Sequence, residues 1–153
     1  MNLQKFGIKL FFQPNGSYPY RDFIPDLHLL IQNDSIPEHM LIDVVDYSHI
    51  PDGPGIILVA HEGHFSLDQE NCQPGIMYMR KTDMSGSFKE RFIKVLSIVI
   101  KAANRLCDNN INKKIDFAKH SLRFITNDRR VAENTVENQK LYKDAVQEAL
   151  ENK

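Results

Sequence analysis

Four side chains that can hold or transfer protons lie within one short segment, directly after an apolar run. They are two imidazoles and two carboxylates: His61, Glu62, His64 and Asp68. Imidazole changes its charge near neutral pH, and a carboxylate that orients an imidazole is the smallest arrangement that makes a general base. This segment is therefore the first place to look for chemistry.

The residues before this segment determine where the groups lie. Residues 41–47 and 55–61 are short runs rich in Val and Ile and bounded by turn residues, which predicts two neighbouring strands. If the loop between them closes symmetrically, Asp43 lies opposite Val59 and diagonally next to His61 on one face. The pattern predicts an acid and imidazole pair in which His61 is the base and Asp43 or Glu62 orients it.

Simpler interpretations of the same residues remain open. Polar groups at a strand end commonly face water, and buried acids on a central strand are commonly satisfied by backbone or arginine. The HEGH sequence lacks the spacing that places two imidazoles on one helical face, so the pattern disfavours a metal site and leaves any cofactor unknown. Neither Cys72 nor Cys107 lies in a nucleophile motif, and no serine lies in a GxSxG elbow.

Further polar groups lie in loops or at strand ends near this segment. We expect them to converge with the strand end on a rim that binds a small anionic ligand, because convergent polar groups mark binding pockets. The candidate ligand-binding residues are His49, Asp52, His64, Asp68, Arg80 and Arg129.

The remaining elements follow from periodicity. Residues 5–12 alternate like a half-buried strand, residues 22–32 have helical spacing with Asp22 as the cap, and residues 75–81 form a further strand. Ser87 and Glu90 form a capping box before a long helix over residues 88–107.

The carboxyl-terminal third adds a bent strand over residues 115–126 and a final helix over residues 135–151, with Asn134 and Glu137 as a second capping box. We therefore predict a single α+β domain over residues 1–153. The specific expectation is a ferredoxin-like two-layer sandwich of about five mostly antiparallel strands, with two main helices on one face and a C-terminal helix.

Composition excludes some functions. The chain has 153 residues with 19 basic and 20 acidic side chains, which argues against a broad nucleic-acid or anionic-membrane surface. The longest apolar window, residues 92–106, is interrupted by Lys94, Lys101 and Arg105, so no membrane span is expected. Two cysteines far apart in sequence favour reduced thiols and a cytoplasmic location.

Three functions remain from this pattern. The favoured one is binding of the small anionic ligand. The second is a protein that self-associates through an open sheet face or edge and has no ligand site. An open sheet also predicts a homodimer. A hydrolase or isomerase with His61 as general base is the third.

Three segments, DYSHIPDGPGIILVAHEGHFSLD, PGIMYMRK and the later NDRRVAENT, resemble a small family of bacterial proteins of no known activity. The resemblance spans most of the chain. It implies no activity, cofactor or site residue.

Overall fold

The computed structural model describes residues 1–13, 20–109 and 116–151. Within these ranges the chain is α+β and forms one antiparallel sheet of six strands with three α-helices. The strands are β1 (Phe6–Phe12), β2 (Leu41–Tyr47), β3 (Gly55–Ala60), β4 (Gly63–Asp68), β5 (Gly75–Arg80) and β6 (Phe117–Thr126). The helices are α1 (Ile24–Gln32), α2 (Phe88–Asn109) and α3 (Val136–Glu151), and short 3-10 turns cover Tyr20–Phe23 and Glu70–Cys72.

The strand order across the sheet is β2-β3-β4-β5-β1-β6, and every neighbouring pair is antiparallel. Strands β2 to β5 therefore form a meander, and β1 lies between β5 and β6. β2 and β6 are the two edge strands of the described sheet.

The two faces of the sheet are covered differently. Side chains alternate across a strand, and one row of aligned residues, Ile8, Leu58, Phe65 and Tyr78, is buried against the helices. On this face α2 packs against β1 and β5, α1 packs against β2 and α2, and α3 packs against α2. None of the strong helix–sheet contacts of the described chain is with the opposite face. There Val59, His64 and Met79 are half buried, whereas Lys9, Ser66 and Asp68 are buried.

One strand is missing from the sequence prediction. Residues 63–68, which we expected to form a polar rim, are strand β4, so the sheet has six strands rather than about five. Phe65 and Leu67 are buried under the helices, while His64 and Ser66 lie on the face without helices. Alternation puts the polar residues of this strand on the face away from the helices, where His64 is half buried and Ser66 and Asp68 are buried.

Helix boundaries agree with the prediction better than the caps do. The capping box of α2 is confirmed, because the Ser87 amide donates to the Glu90 carboxylate at 2.6 Å and the Glu90 amide donates to the Ser87 hydroxyl at 3.3 Å. Asp22 does not cap α1, which follows a 3-10 turn without a side-chain cap.

The cap of α3 also differs from the prediction. The Asn138 amide donates to the Thr135 hydroxyl at 3.2 Å, so Thr135 is the cap rather than Asn134. The predicted first residue of the last strand, Ile115, lies outside the described residues. In the described part of the chain, no helix is long and apolar enough to cross a membrane.

Candidate functional site

The predicted rim residues are divided between the two ends of the sheet. His61 and Glu62 form the turn after β3, and Arg80 ends β5 opposite Gly63 at this same end. His49 and Asp52 lie in the β2–β3 loop, at the other end of β3. Since β3 has six residues, the two groups are roughly 17–20 Å apart along the sheet.

The strand register is the one expected, but it does not pair the acid with the imidazole. Asp43 lies opposite Val59, as predicted. The Asp43 carboxylate accepts the Val44 amide at 2.7 Å, and none of the hydrogen bonds of the described residues joins it to His61. Both side chains are exposed, so His61 as a general base stays a prediction.

Glu62 is fixed as an anion in the turn between β3 and β4. Its carboxylate accepts the Met40 amide at 2.8 Å. Burial opposes the charge, but hydrogen bonds from the amides of Met40 and Glu62, together with His39 and His61 nearby, lower the pKa of Glu62 below its ordinary value.

A chain of hydrogen bonds lies beside this turn and joins His39, Tyr78 and Arg80. We call these three residues the Tyr78 cluster. His39 Nδ1 lies 2.9 Å from the Pro37 carbonyl oxygen, and its Nε2 lies 2.7 Å from the Tyr78 hydroxyl. A carbonyl only accepts, so Nδ1 carries the proton and Nε2 accepts from Tyr78. Arg80 Nη1 then donates to the Tyr78 oxygen at 3.3 Å.

Local sequence explains how this cluster packs. A Cβ on Gly63 would lie 2.6 Å from the Tyr78 ring, so only glycine lets that ring cross the start of β4. The His39 ring meets Tyr78 edge-on, with centroids 5.4 Å apart. The Phe65 ring packs on the Tyr78 ring with centroids 4.6 Å apart and an interplanar angle of 38°, so Tyr78 is held between two aromatic rings.

Burial makes two members of the Tyr78 cluster neutral. It lowers the pKa of His39 and raises the pKa of Tyr78, because removal from water disfavours each charged form. Near neutral pH the imidazole and the phenol are therefore uncharged. The positive charge of the cluster is on Arg80.

Arg80 is buried without a direct ion pair in the described chain. Its side chain is only 9% exposed, and none of the ion pairs of the described residues includes it. Nε donates to the Thr82 carbonyl at 2.9 Å and Nη1 donates to Tyr78. Nη2 has no partner in the described chain and is not among its buried unpartnered atoms, so this donor reaches solvent.

Asp68, one of the other predicted ligand-binding residues, lies in a different environment. It is buried, lies 2.5 Å from Lys9 Nζ and accepts the Glu70 amide at 3.0 Å, so its carboxylate is already occupied. His49, Asp52 and Arg129 are exposed.

His64 lies on the face without helices. Its Nδ1 is buried without a partner in the described structure, and burial, followed by the charge of Lys81, lowers the pKa of His64. The described residues hold no group of three His, Cys, Asp or Glu side chains that could bind a metal.

Sequence reasoning missed His39 and Tyr78. The alternation of residues 75–81 places Tyr78 and Arg80 on one face, which was a usable signal for that pair. His39 lies in the loop between α1 and β2, and its position depends on contacts with β5 rather than on any local motif.

Comparison with known proteins finds no significant match for this chain. No family model matches the chain, and neither a curated protein nor a solved structure is significantly similar to it.

Proposed function

We propose that this protein binds a small anionic ligand, with a carboxylate or phosphate group, at the guanidinium of Arg80. The observation that carries the proposal is a buried guanidinium with no carboxylate partner in the described chain and with Nη2 open to solvent. The proposal keeps Arg80, Glu62 and His61 from the predicted rim.

The energetics favour an external anion. Arginine does not lose its proton in proteins, so the charge persists on burial. An unpaired buried charge costs several kcal/mol, and a bound anion would offset that cost. Tyr78 and Thr82 hold the guanidinium plane at two of its nitrogens, which leaves the remaining donors pre-oriented for a planar or tetrahedral anion.

Glu62 limits the kind of anion. Arg80 and Glu62 both act electrostatically on Tyr78, so the two opposite charges lie on the same cluster. A long polyanion would be repelled by the Glu62 carboxylate. The expected ligand has one compact anionic group next to a hydroxyl or amine that can donate to Glu62.

Calorimetric titration of inorganic phosphate and of succinate, compared with thermal unfolding, tests the proposal. At 100 times its dissociation constant, a ligand of the native state stabilises it by about 2.7 kcal/mol. Arg80→Gln should abolish both the heat of binding and the thermal shift. Arg123→Gln is the matched control, since Arg123 lies on β6 and already contacts Glu70 at 3.4 Å.

Two results would refute the proposal. One is the absence of binding by either anion to the unmodified protein. The other is an Arg80→Gln variant that binds as tightly as the unmodified chain.

For the fold we propose a ferredoxin-like two-layer sandwich enlarged by one hairpin. Helix α1 joins β1 to the parallel strand β2, and α2 joins β5 to the parallel strand β6, which are two split βαβ units. The extra strands β3 and β4 extend the meander between β2 and β5. A homodimer and a cytoplasmic location stay predictions of the sequence.

A further inference from the structure

The face of the sheet opposite the helices is a candidate interaction surface. None of the strong helix–sheet contacts of the described chain is with this face, and its side chains form two aligned rows across the six strands. The first row is Asp43, Val59, His64, Met79, Gly7 and Ile125, and the second is Val45, Ile57, Ser66, Met77, Lys9 and Arg123. We call these two rows the open face.

The inner strands of the open face are more apolar than contact with water requires. An antiparallel sheet that faces water on one side alternates apolar and polar residues along each strand. Strands β3 and β5 do not alternate in this way, because Ile57, Val59, Met77 and Met79 are all on the open face. Their side chains are half buried in the single chain. This pattern is typical of a sheet that is covered on both faces.

The open face is large enough for a stable dimer. Six strands spaced about 4.8 Å apart, with about six residues rising about 3.4 Å each, cover roughly 600 Å². Two copies packed face to face would bury about 1,200 Å² in total, which is the lower end of the range for specific, stable interfaces. A second copy of the same face is therefore a partner of sufficient size.

The two edges of the sheet are less suitable for self-association. The β2–β3 pair has a register shift between Leu41 and Asp43, and the β1–β6 pair has one between Leu10 and Phe12. Such irregularities in or beside an edge strand disrupt its pairing with a further strand. The residues of the open face lie in the regular parts of both registers, so their alternation is unbroken.

Charge is segregated across the open face. Its acidic side chain, Asp43, is on the edge strand β2, and its basic side chains, Lys9 and Arg123, are on β1 and β6 in the other half of the sheet. Lys81, directly after β5, adds a cation to the same half, and its charge acts on His64. The two halves of the open face are therefore complementary in sign.

Two of these charged groups are available to a partner. Lys9 is paired with Asp68, whereas the Asp43 carboxylate is exposed and takes part in none of the ion pairs of the described residues. Arg123 contacts Glu70 at 3.4 Å, and a guanidinium with its five donors can bind a second carboxylate as well. Asp43 and Arg123 therefore mark the acidic and the basic border of the open face.

We propose that the open face binds a second copy of the chain, so that two sheets pack face to face about a twofold axis parallel to the strands. This axis places β2 of one copy over β6 of the other. Asp43 would lie near Arg123 of the partner subunit, and the contact would occur twice, since a twofold interface repeats each contact. An axis across the strands would instead bring the two β2 strands together, and their carboxylates with them, which is unfavourable.

Sedimentation equilibrium of the full chain over a range of concentrations tests the proposal. We expect twice the mass of the chain at micromolar concentrations. Asp43→Arg and Arg123→Asp should each weaken the dimer about tenfold, because each brings like charges together. The variant that combines both substitutions should recover the affinity, because it exchanges two charges that face each other.

Matched controls reverse charges on the helix side of the molecule. Asp144→Arg on α3 and Lys101→Glu on α2 change exposed positions, and neither should alter the association. Circular dichroism verifies that each variant is folded. A second measurement needs no variant: on dilution, the methyl signals of Met77 and Met79 should shift, while that of Met84, which is buried in the core, should not.

Three results would overturn the proposal. One is a monomer over the whole concentration range, which would mean that a second copy does not cover the open face. Another is a dimer that neither single charge reversal weakens, which would place the contact on a different surface. The third is a combined variant that associates no more tightly than the single variants, because the axis parallel to the strands requires the recovery.

Discussion

Two buried cations on neighbouring strands are stabilised by different kinds of partner. Lys9 on β1 is 1% exposed and has a carboxylate partner, Asp68, at 2.5 Å. Arg80 on β5 is 9% exposed, and its partners among the described residues are a carbonyl and a hydroxyl. At the first site the protein supplies the counter-charge. At the second site one donor of the guanidinium, Nη2, faces solvent.

A third cation shows how a buried arginine is held by backbone carbonyls, although its Nε is buried without a partner in the described structure. Arg91 is 4% exposed, and its two amino groups donate to the carbonyls of Met1, Leu3 and Gly86. These contacts hold the amino terminus against α2. Burial alone therefore does not indicate a ligand site in this fold. Our proposal depends on burial combined with a donor that faces solvent, and of these three cations only Arg80 has both features.

The largest expected effect is at Lys9. Lys9→Met leaves the Asp68 carboxylate buried without a counter-charge, so we expect a loss of about 3–5 kcal/mol in the free energy of unfolding, measured with urea. Arg80→Met removes an unpaired charge and should cost only about 1 kcal/mol without ligand. Equal losses in the two variants would remove the contrast between the sites.

A somewhat smaller loss is expected at Arg91. Arg91→Met leaves the carbonyls of Met1 and Leu3 without their donor, which should cost about 2–3 kcal/mol. Hydrogen exchange should show faster opening of the first residues, and phosphate binding should be unchanged. A variant as stable as the unmodified chain would mean that these contacts do not anchor the terminus.

The Tyr78 hydroxyl should contribute less to the free energy of unfolding than Lys9 or Arg91 does. Tyr78→Phe keeps the ring but leaves His39 Nε2 and one Arg80 donor without a partner, so we expect a loss of about 1–2 kcal/mol. Tyr142→Phe is the matched control, since its hydroxyl makes one long contact of 3.4 Å to Val131 and should cost less than about 0.5 kcal/mol. Similar losses in both would argue against a directed chain of hydrogen bonds.

The smallest effect is a dependence of stability on pH. Burial lowers the pKa of His39 below 6.5, so the unfolded chain takes up a proton at a higher pH than the folded one. The contribution to stability is complete above 6.5 and is lost as pH falls from 6.5 toward the lowered pKa. His39→Gln should flatten this part of the profile, measured by urea unfolding. His64→Gln is the variant for comparison, because burial also lowers the pKa of His64 and its contribution to stability has the same sign.

Elements with strong periodicity were predictable. The apolar stripe and capping box of α2 are local features, and the alternation of β2 and β3 with a stiff turn sets the register of Asp43 and Val59. Strand β4 was not predicted because its polar residues suggested a loop. Its outer face carries no described helix, so His64 and Ser66 can occupy a strand there.

The site itself depends on contacts between residues far apart in sequence. Lys9 and Asp68 are separated by 59 positions, and Lys9 passes Gly75, where a Cβ would lie 3.0 Å from Lys9 Cε. His39 and Tyr78 are likewise separated by 39 positions. Such pairs leave no periodic signal, so the sequence could indicate Arg80 as a candidate but not that it makes no ion pair with a described residue.

The most direct measurement follows the arginine side chains by nuclear magnetic resonance while inorganic phosphate is added. The proposal that Arg80 binds the anion predicts that the Nε–H signal of Arg80 shifts and saturates, while that of Arg91 stays in place. An unmoved Arg80 signal, or a parallel, unsaturated drift of every arginine signal with salt, would contradict it.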